Sequence, residues 1–132
     1  MWEKLGQIFT VDNNNKYLVS HASNPLPIHL QGNVFRIFYS GRNKDNKSSV
    51  GFVDIDIIEK KIINYPSKPL IKHGNPNSFY SHGISIGNLY KSPLNNKYIL
   101  FMGWQIRGIE HWRGDIGRLE LIGNDKLILD PK

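Results

Sequence analysis

Short apolar runs alternating with polar positions, each closed by Gly, Asn or Asp, recur along most of this chain and predict strands. Residues 2–9, W-E-K-L-G-Q-I-F, have a strand-like spacing, and the N-N-N run at 13–15 is a turn, because Asn tolerates left-handed backbone. Pro25 and Pro27 bar their segment from a helix and from a central ladder position. Gln31-Gly32-Asn33 is a tight turn. From Val34 to Ser40 the alternation has period two, with Val34, Arg36, Phe38 and Ser40 on one face and Phe35, Ile37 and Tyr39 on the other. G-R-N-K-D-N-K-S at 41–48 is a polar hairpin loop. The strand returning from Ser49 to about Ile57 places Asp54 and Asp56 on one face, opposite Val53 and Ile55. I-D-I-I-E-K-K-I-I admits helical spacing, but its isoleucines and short E-K-K turn favour strand–turn–strand. Residues 65–78 hold three Pro, two Asn and a Gly and form a connection. Gly123-Asn124-Asp125 is a last hairpin turn before K-L-I-L. No long amphipathic helix is present, so the chain is expected to be all-β.

The pattern occurs twice. S-H-A-S-N-P, F-R-I-F-Y-S-G-R and S-S-V-G-F-V-D-I-D are followed by S-H-G-I-S-I-G-N-L, K-Y-I-L-F-M-G-W and H-W-R-G-D-I-G-R-L-E-L. His21 then corresponds to His82, Gly41-Arg42 to Gly103-Trp104, and Val50-Gly51 to Ile116-Gly117. This internal repeat predicts two antiparallel four-stranded sheets, over 1–64 and 79–132, joined by the connection at 65–78.

Length and composition fit one domain able to bury a core, or a fragment of something larger. Three Trp, six Tyr and six Phe argue for a folded chain, and the absence of Cys excludes disulfides and thiolate metal sites. The N-terminus lacks a basic start followed by an apolar run, and no stretch approaches a membrane span, so the expectation is a soluble cytoplasmic protein. Lys and Arg number 17 against 11 Asp and Glu, for a net charge of +6. Those charges are scattered over turns, as at Lys44, Lys47, Lys60 and Lys61, so a solvated basic surface is expected rather than a nucleic-acid partner.

The five His, at 21, 29, 73, 82 and 111, lack the close spacing of zinc motifs; no metal and no cofactor is expected. His21 and His82 either bond backbone at a strand start or line a shared pocket with Asn24 and Ser85. Arg42 and Trp104 end the next strands nearby. Glu110-His111-Trp112-Arg113 is the densest functional-looking run: Trp offers a flat apolar face to a sugar ring, and Arg and Glu offer directed hydrogen bonds. Trp104 and Trp112 suit core or rim packing equally well. Arg113 and Asp115 stand two apart, as an ion pair on one strand face. No Ser–His–Asp set, nucleophile elbow or phosphate loop is present, and no catalytic residue can be assigned.

With these residues laid out, the chain resembles the five-bladed β-propeller proteins related to glycoside hydrolase family 43, especially propellers found with bacterial surface-polysaccharide genes. S-H-A-S-N-P, R-I-F-Y-S-G-R…S-S-V-G-F-V-D-I-D, F-Y-S-H-G-I-S and F-M-G-W…H-W-R-G-D-I-G-R-L carry the likeness over nearly the whole chain. It implies adjacent blades of an incomplete propeller and a carbohydrate partner. In that family inner strands present a catalytic base and a second Asp, and S-H-A-S-N-P and F-Y-S-H-G hold neither. The general acid comes from a third blade. The resemblance thus implies sugar binding without complete catalytic machinery. Its alternatives are a fragment of a glycoside hydrolase or glycosyl-transferring enzyme, and a structural or interaction fragment. Two blades would leave a sheet face uncovered, so self-association, or a missing C-terminal part, is expected.

Overall fold

The structure is a computed structural model that describes residues 1–109 and 111–131. It is all-β. Eight strands follow in order: β1 (Ser20–Gln31), β2 (Val34–Arg42), β3 (Ser48–Asp56), β4 (Lys61–Asn64), β5 (Gly83–Lys91), β6 (Lys97–Ile106), β7 (Trp112–Ile122) and β8 (Lys126–Leu129). β1 to β4 form one antiparallel meander and β5 to β8 a second. The two are not separate sheets, as the repeat had led us to expect. A parallel pairing of β3 with β5 at Ser48 and Gly83 joins them into one mixed eight-stranded sheet. At that joint the backbone N–H of Ser48 donates to the carbonyl of His82 at 3.1 Å. β1, which carries both prolines, is an edge strand, where missing backbone donors cost no ladder bond.

Alternation decides which faces meet. Leu26, Ile28, Phe38, Val50 and Phe52 of the first meander pack against Ile84, Ile86, Ile99, Phe101, Leu119, Leu121 and Leu127 of the second in one core. Arg36 and Asp54 lie on that same face and join it by pairing with each other, Arg36 Nε donating to Asp54 Oδ1 at 2.8 Å.

The back of the first meander is covered by the N-terminal segment. Residues 2–9 form no strand, contrary to the spacing, and Trp2 is fully exposed. Phe9 nevertheless packs on Tyr39 at 5.3 Å and on Tyr65 at 5.1 Å between ring centroids. Leu18 is 1% exposed and lies flat against two glycines. A Cβ on Gly41 would stand 2.8 Å from Leu18 Cδ2, and one on Gly51 would stand 2.5 Å from Cδ1. Gly103 and Gly117 make the same room for Phe79, whose ring atoms would lie 2.6 and 2.8 Å from the added Cβ atoms. The repeated glycines are therefore docking surfaces for apolar side chains, Leu18 on the first meander and Phe79 with Phe101 on the second. Gly51→Ala is expected to displace Leu18 and cost about 1–3 kcal/mol. A thermal melt checks this, and an unchanged midpoint would show that Leu18 moves aside freely.

The uncovered face lies on the second meander. Leu100, Ile116, Ile122 and Ile128 are exposed there, Ile116 by 75%.

Candidate functional site

Where the two meanders meet, beside the Ser48–Gly83 pairing, opens a cleft of about 560 Å³, within the usual size of small-molecule sites. Ser23, Asn24, Ser40, Arg42, Asn46 and Ser48 line it from the first meander, and His82, Ser85, Trp104 and Trp112 from the second.

Strand alternation aims these groups. Ser40 and Arg42 follow Phe38 on one face of β2, with Ser48 opposite Arg42 on β3. Ser23 reaches the same place because β1 is bulged, with His21 at φ 62° and Asn24 at φ 55°. Its hydroxyl donates to the Ser40 carbonyl at 3.1 Å, and the Ser40 hydroxyl accepts the backbone N–H of Ile86 at 3.0 Å. That second bond ties the cleft floor across both meanders.

Trp104 and Trp112 form the opposite wall. The Trp104 indole N–H donates to Ser85 Oγ at 2.9 Å, which fixes the ring. Trp112 stands edge-on to Trp104, with centroids 6.4 Å apart, and to the His82 ring at 5.4 Å. The His82 imidazole is held below its ordinary pKa, chiefly by loss of solvent and then by the charges of Lys47 and His73. Its neutral form is therefore favoured at pH 7, with one ring nitrogen donating and the other accepting. The side chains of Asn24, Arg42, Asn46 and Ser48 make no hydrogen bond to the protein among the described residues. They are available to a ligand.

Of the residues singled out in the sequence, Asn24, Arg42, His82, Ser85 and Trp104 come together in this cleft. His21 does not. The N–H groups of Val19 and His82 both donate at 2.8 Å, to the carbonyls of Arg42 and Trp104, so His82 corresponds in space to Val19. The bulge then turns His21 outward, where its Nδ1 meets Ser20 Oγ at 2.9 Å. Arg113 and Asp115 also lie elsewhere. A Cβ on Gly114 would meet Met102 Sδ and Trp104, so Gly114 faces the cleft side and its two neighbours face away. Arg113 Nε donates to Asp115 Oδ2 at 2.9 Å, and this bond holds the Asp115 carboxyl below its ordinary range. His111 is exposed and outside the lining, and Glu110 lies outside the described residues. Ser40, Asn46 and Ser48 were missed as lining residues. Ser40 was accessible to reasoning, since alternation puts it on the face of Arg42, whereas Asn46 and Ser48 sit in or beside a loop without a pattern.

Among the described residues no group of three or more His, Cys, Asp or Glu is placed to hold a metal, and no helix is long and apolar enough to cross a membrane. No family model matches the chain. Two uncharacterized proteins from two strains of Mycobacterium tuberculosis are each 33% identical to it over 117 residues, or 88% of this chain. The match takes in 39% of each of those proteins, so the chain spans well under half of their length. The crystal structure of a glycosyl hydrolase from Bacteroides ovatus superposes with a TM-score of 0.69 over 96% of this chain and 39% of that one, at 8% identity. At that identity the likeness is one of fold alone.

Proposed function

We propose that the cleft between the meanders binds carbohydrate, and that the meanders are neighbouring blades of a five-bladed propeller. One observation carries the binding reading. Two indole rings face a set of hydroxyl, amide and guanidinium groups, most without protein partners, across a space of small-ligand size. A sugar is amphipathic in the same way, with apolar ring faces and a periphery of hydroxyls. The blade reading draws support from the two successive four-stranded meanders and from the fold likeness to the glycosyl hydrolase.

Hydrolysis of a glycosidic bond needs two carboxyl groups facing across it. The described lining holds none, so binding is the activity these side chains support. A catalytic role would draw its carboxylates from outside the described lining. The proposed setting is the cytoplasm, as expected from the sequence, and the proposed macromolecular partner is a second apolar sheet face against Leu100 and Ile116.

The test is a glycan array followed by calorimetry. Trp112→Ala removes an exposed ring from the wall and is expected to weaken binding about tenfold, with the circular dichroism spectrum unchanged. A Trp112→Ala variant that binds every glycan as well as wild type would refute the proposed wall.

A further inference from the structure

Arg42 is singular among the arginines. Arg36 and Arg118 are paired with Asp54 and Asp130, Arg113 with Asp115, and Arg107 donates to Gln105 at 3.2 Å. Arg42 alone makes no side-chain hydrogen bond or ion pair among the described residues, and it lines the cleft. No Asp or Glu of the described residues shares that lining. Asp45, in the same hairpin, is exposed and outside it. Lys47 lies close enough to His82 to oppose its protonation, which adds positive charge near that end of the lining.

An exposed arginine is well hydrated and needs no partner. A ligand filling the cleft changes that, because it strips water from the guanidinium. A neutral sugar would return only weak hydrogen bonds, whereas a planar or tetrahedral oxyanion accepts two parallel N–H bonds from the fork.

We infer that the cleft's ligand is an anionic sugar whose carboxylate or phosphate is bound by Arg42 while its ring lies against Trp104 and Trp112. The assignment rests on the carbohydrate reading above and narrows it. Asn24, Asn46 and Ser48 then serve the hydroxyls, and the absence of carboxylates from the described lining becomes a source of selectivity, since none of those side chains repels the anion.

Calorimetric titration of the full chain with matched pairs tests it: digalacturonate against galactobiose, glucose 6-phosphate against glucose, and inorganic phosphate alone. The charged member of one pair is expected to bind about tenfold or more tightly than its neutral match, and which pair does so distinguishes carboxylate from phosphate. Arg42→Ala, at an exposed position, should bring that ratio to near one, and Arg42→Lys should restore part of it. If charged and neutral members bind alike, the anionic assignment is overturned and carbohydrate binding stands. If inorganic phosphate binds as tightly as glucose 6-phosphate and Trp112→Ala changes neither, the carbohydrate reading is overturned and the anion site on Arg42 stands. Failure of every probe to bind overturns both.

Discussion

Asp54→Ala is expected to destabilise the fold by about 3–5 kcal/mol, the usual cost of leaving a buried charge without its partner. Arg36 donates from Nε and Nη2 to the two oxygens of Asp54, both at 2.8 Å, and from Nη1 to the Asn124 carbonyl at 2.7 Å. Asn64 adds a bond to Asp54 at 3.3 Å, and the guanidinium carbon sits 3.8 Å from the centroid of Phe52. One side chain thus joins β2, β3 and the β7–β8 turn. The side chains of Arg36 and Asp54 are only 12% and 7% exposed, so water cannot replace the lost carboxylate. The melting temperature should fall by about 10–20 °C. Replacing both residues by apolar ones of similar size, Arg36→Met with Asp54→Leu, should recover most of that loss. A single variant that loses less than about 1 kcal/mol in urea titration would place the pair among ordinary surface ion pairs.

The second large effect concerns association. Leu100, Ile116, Ile122 and Ile128 are 41%, 75%, 45% and 38% exposed on one face of β6, β7 and β8. Met102 continues the row, since it is the register partner of Ile116. Full burial of such a side chain is worth about 1.5–3 kcal/mol, and the part of each still exposed is what a second copy would cover. The expected state of this chain in light scattering is a dimer. Leu100→Glu with Ile116→Lys should return it to monomer with the β spectrum intact, because both side chains are exposed in the monomer. A wild-type chain that stays monomeric at the highest attainable concentration would remove this face as an interface.

The all-β plan was legible because its causes are local. Period-two alternation in Val34–Ser40 placed Arg36 and Phe38 on one face, as found, and Gly-Asn-Asp at 123–125 marked the last hairpin. The repeat was visible through Gly41, Gly51, Gly103 and Gly117, whose positions are fixed by Leu18 and Phe79 lying against them. What escaped depends on backbone geometry that side chains do not announce. His21 and Asn24 adopt positive φ without being glycine, and the resulting bulge moved His21 out of register with His82. The strand expected over 2–9 failed for a different reason. W-E-K-L-G-Q-I-F has a strand's spacing, yet the segment pairs with no strand edge and contributes chiefly Phe9 to a sheet face. In the cleft, Asn24, Arg42, His82, Ser85 and Trp104 stood within the repeated pattern, while Asn46 and Ser48 required the hairpin's fold.

The coverage of Tyr39, Val53 and Ile55 by Phe9 and Leu18 sets a direction on assembly. A stack of like sheets grows head to tail, the front of each copy meeting the back of the next, and such a contact repeats without limit. Here the back of the first meander already carries Phe9 and Leu18 of its own chain. In the expected dimer the fronts then meet each other, an arrangement related by a two-fold axis that consumes both adhesive surfaces at once. In that dimer the N-terminal segment would act as a stop, closing the pair and keeping an apolar sheet face from seeding a fibre.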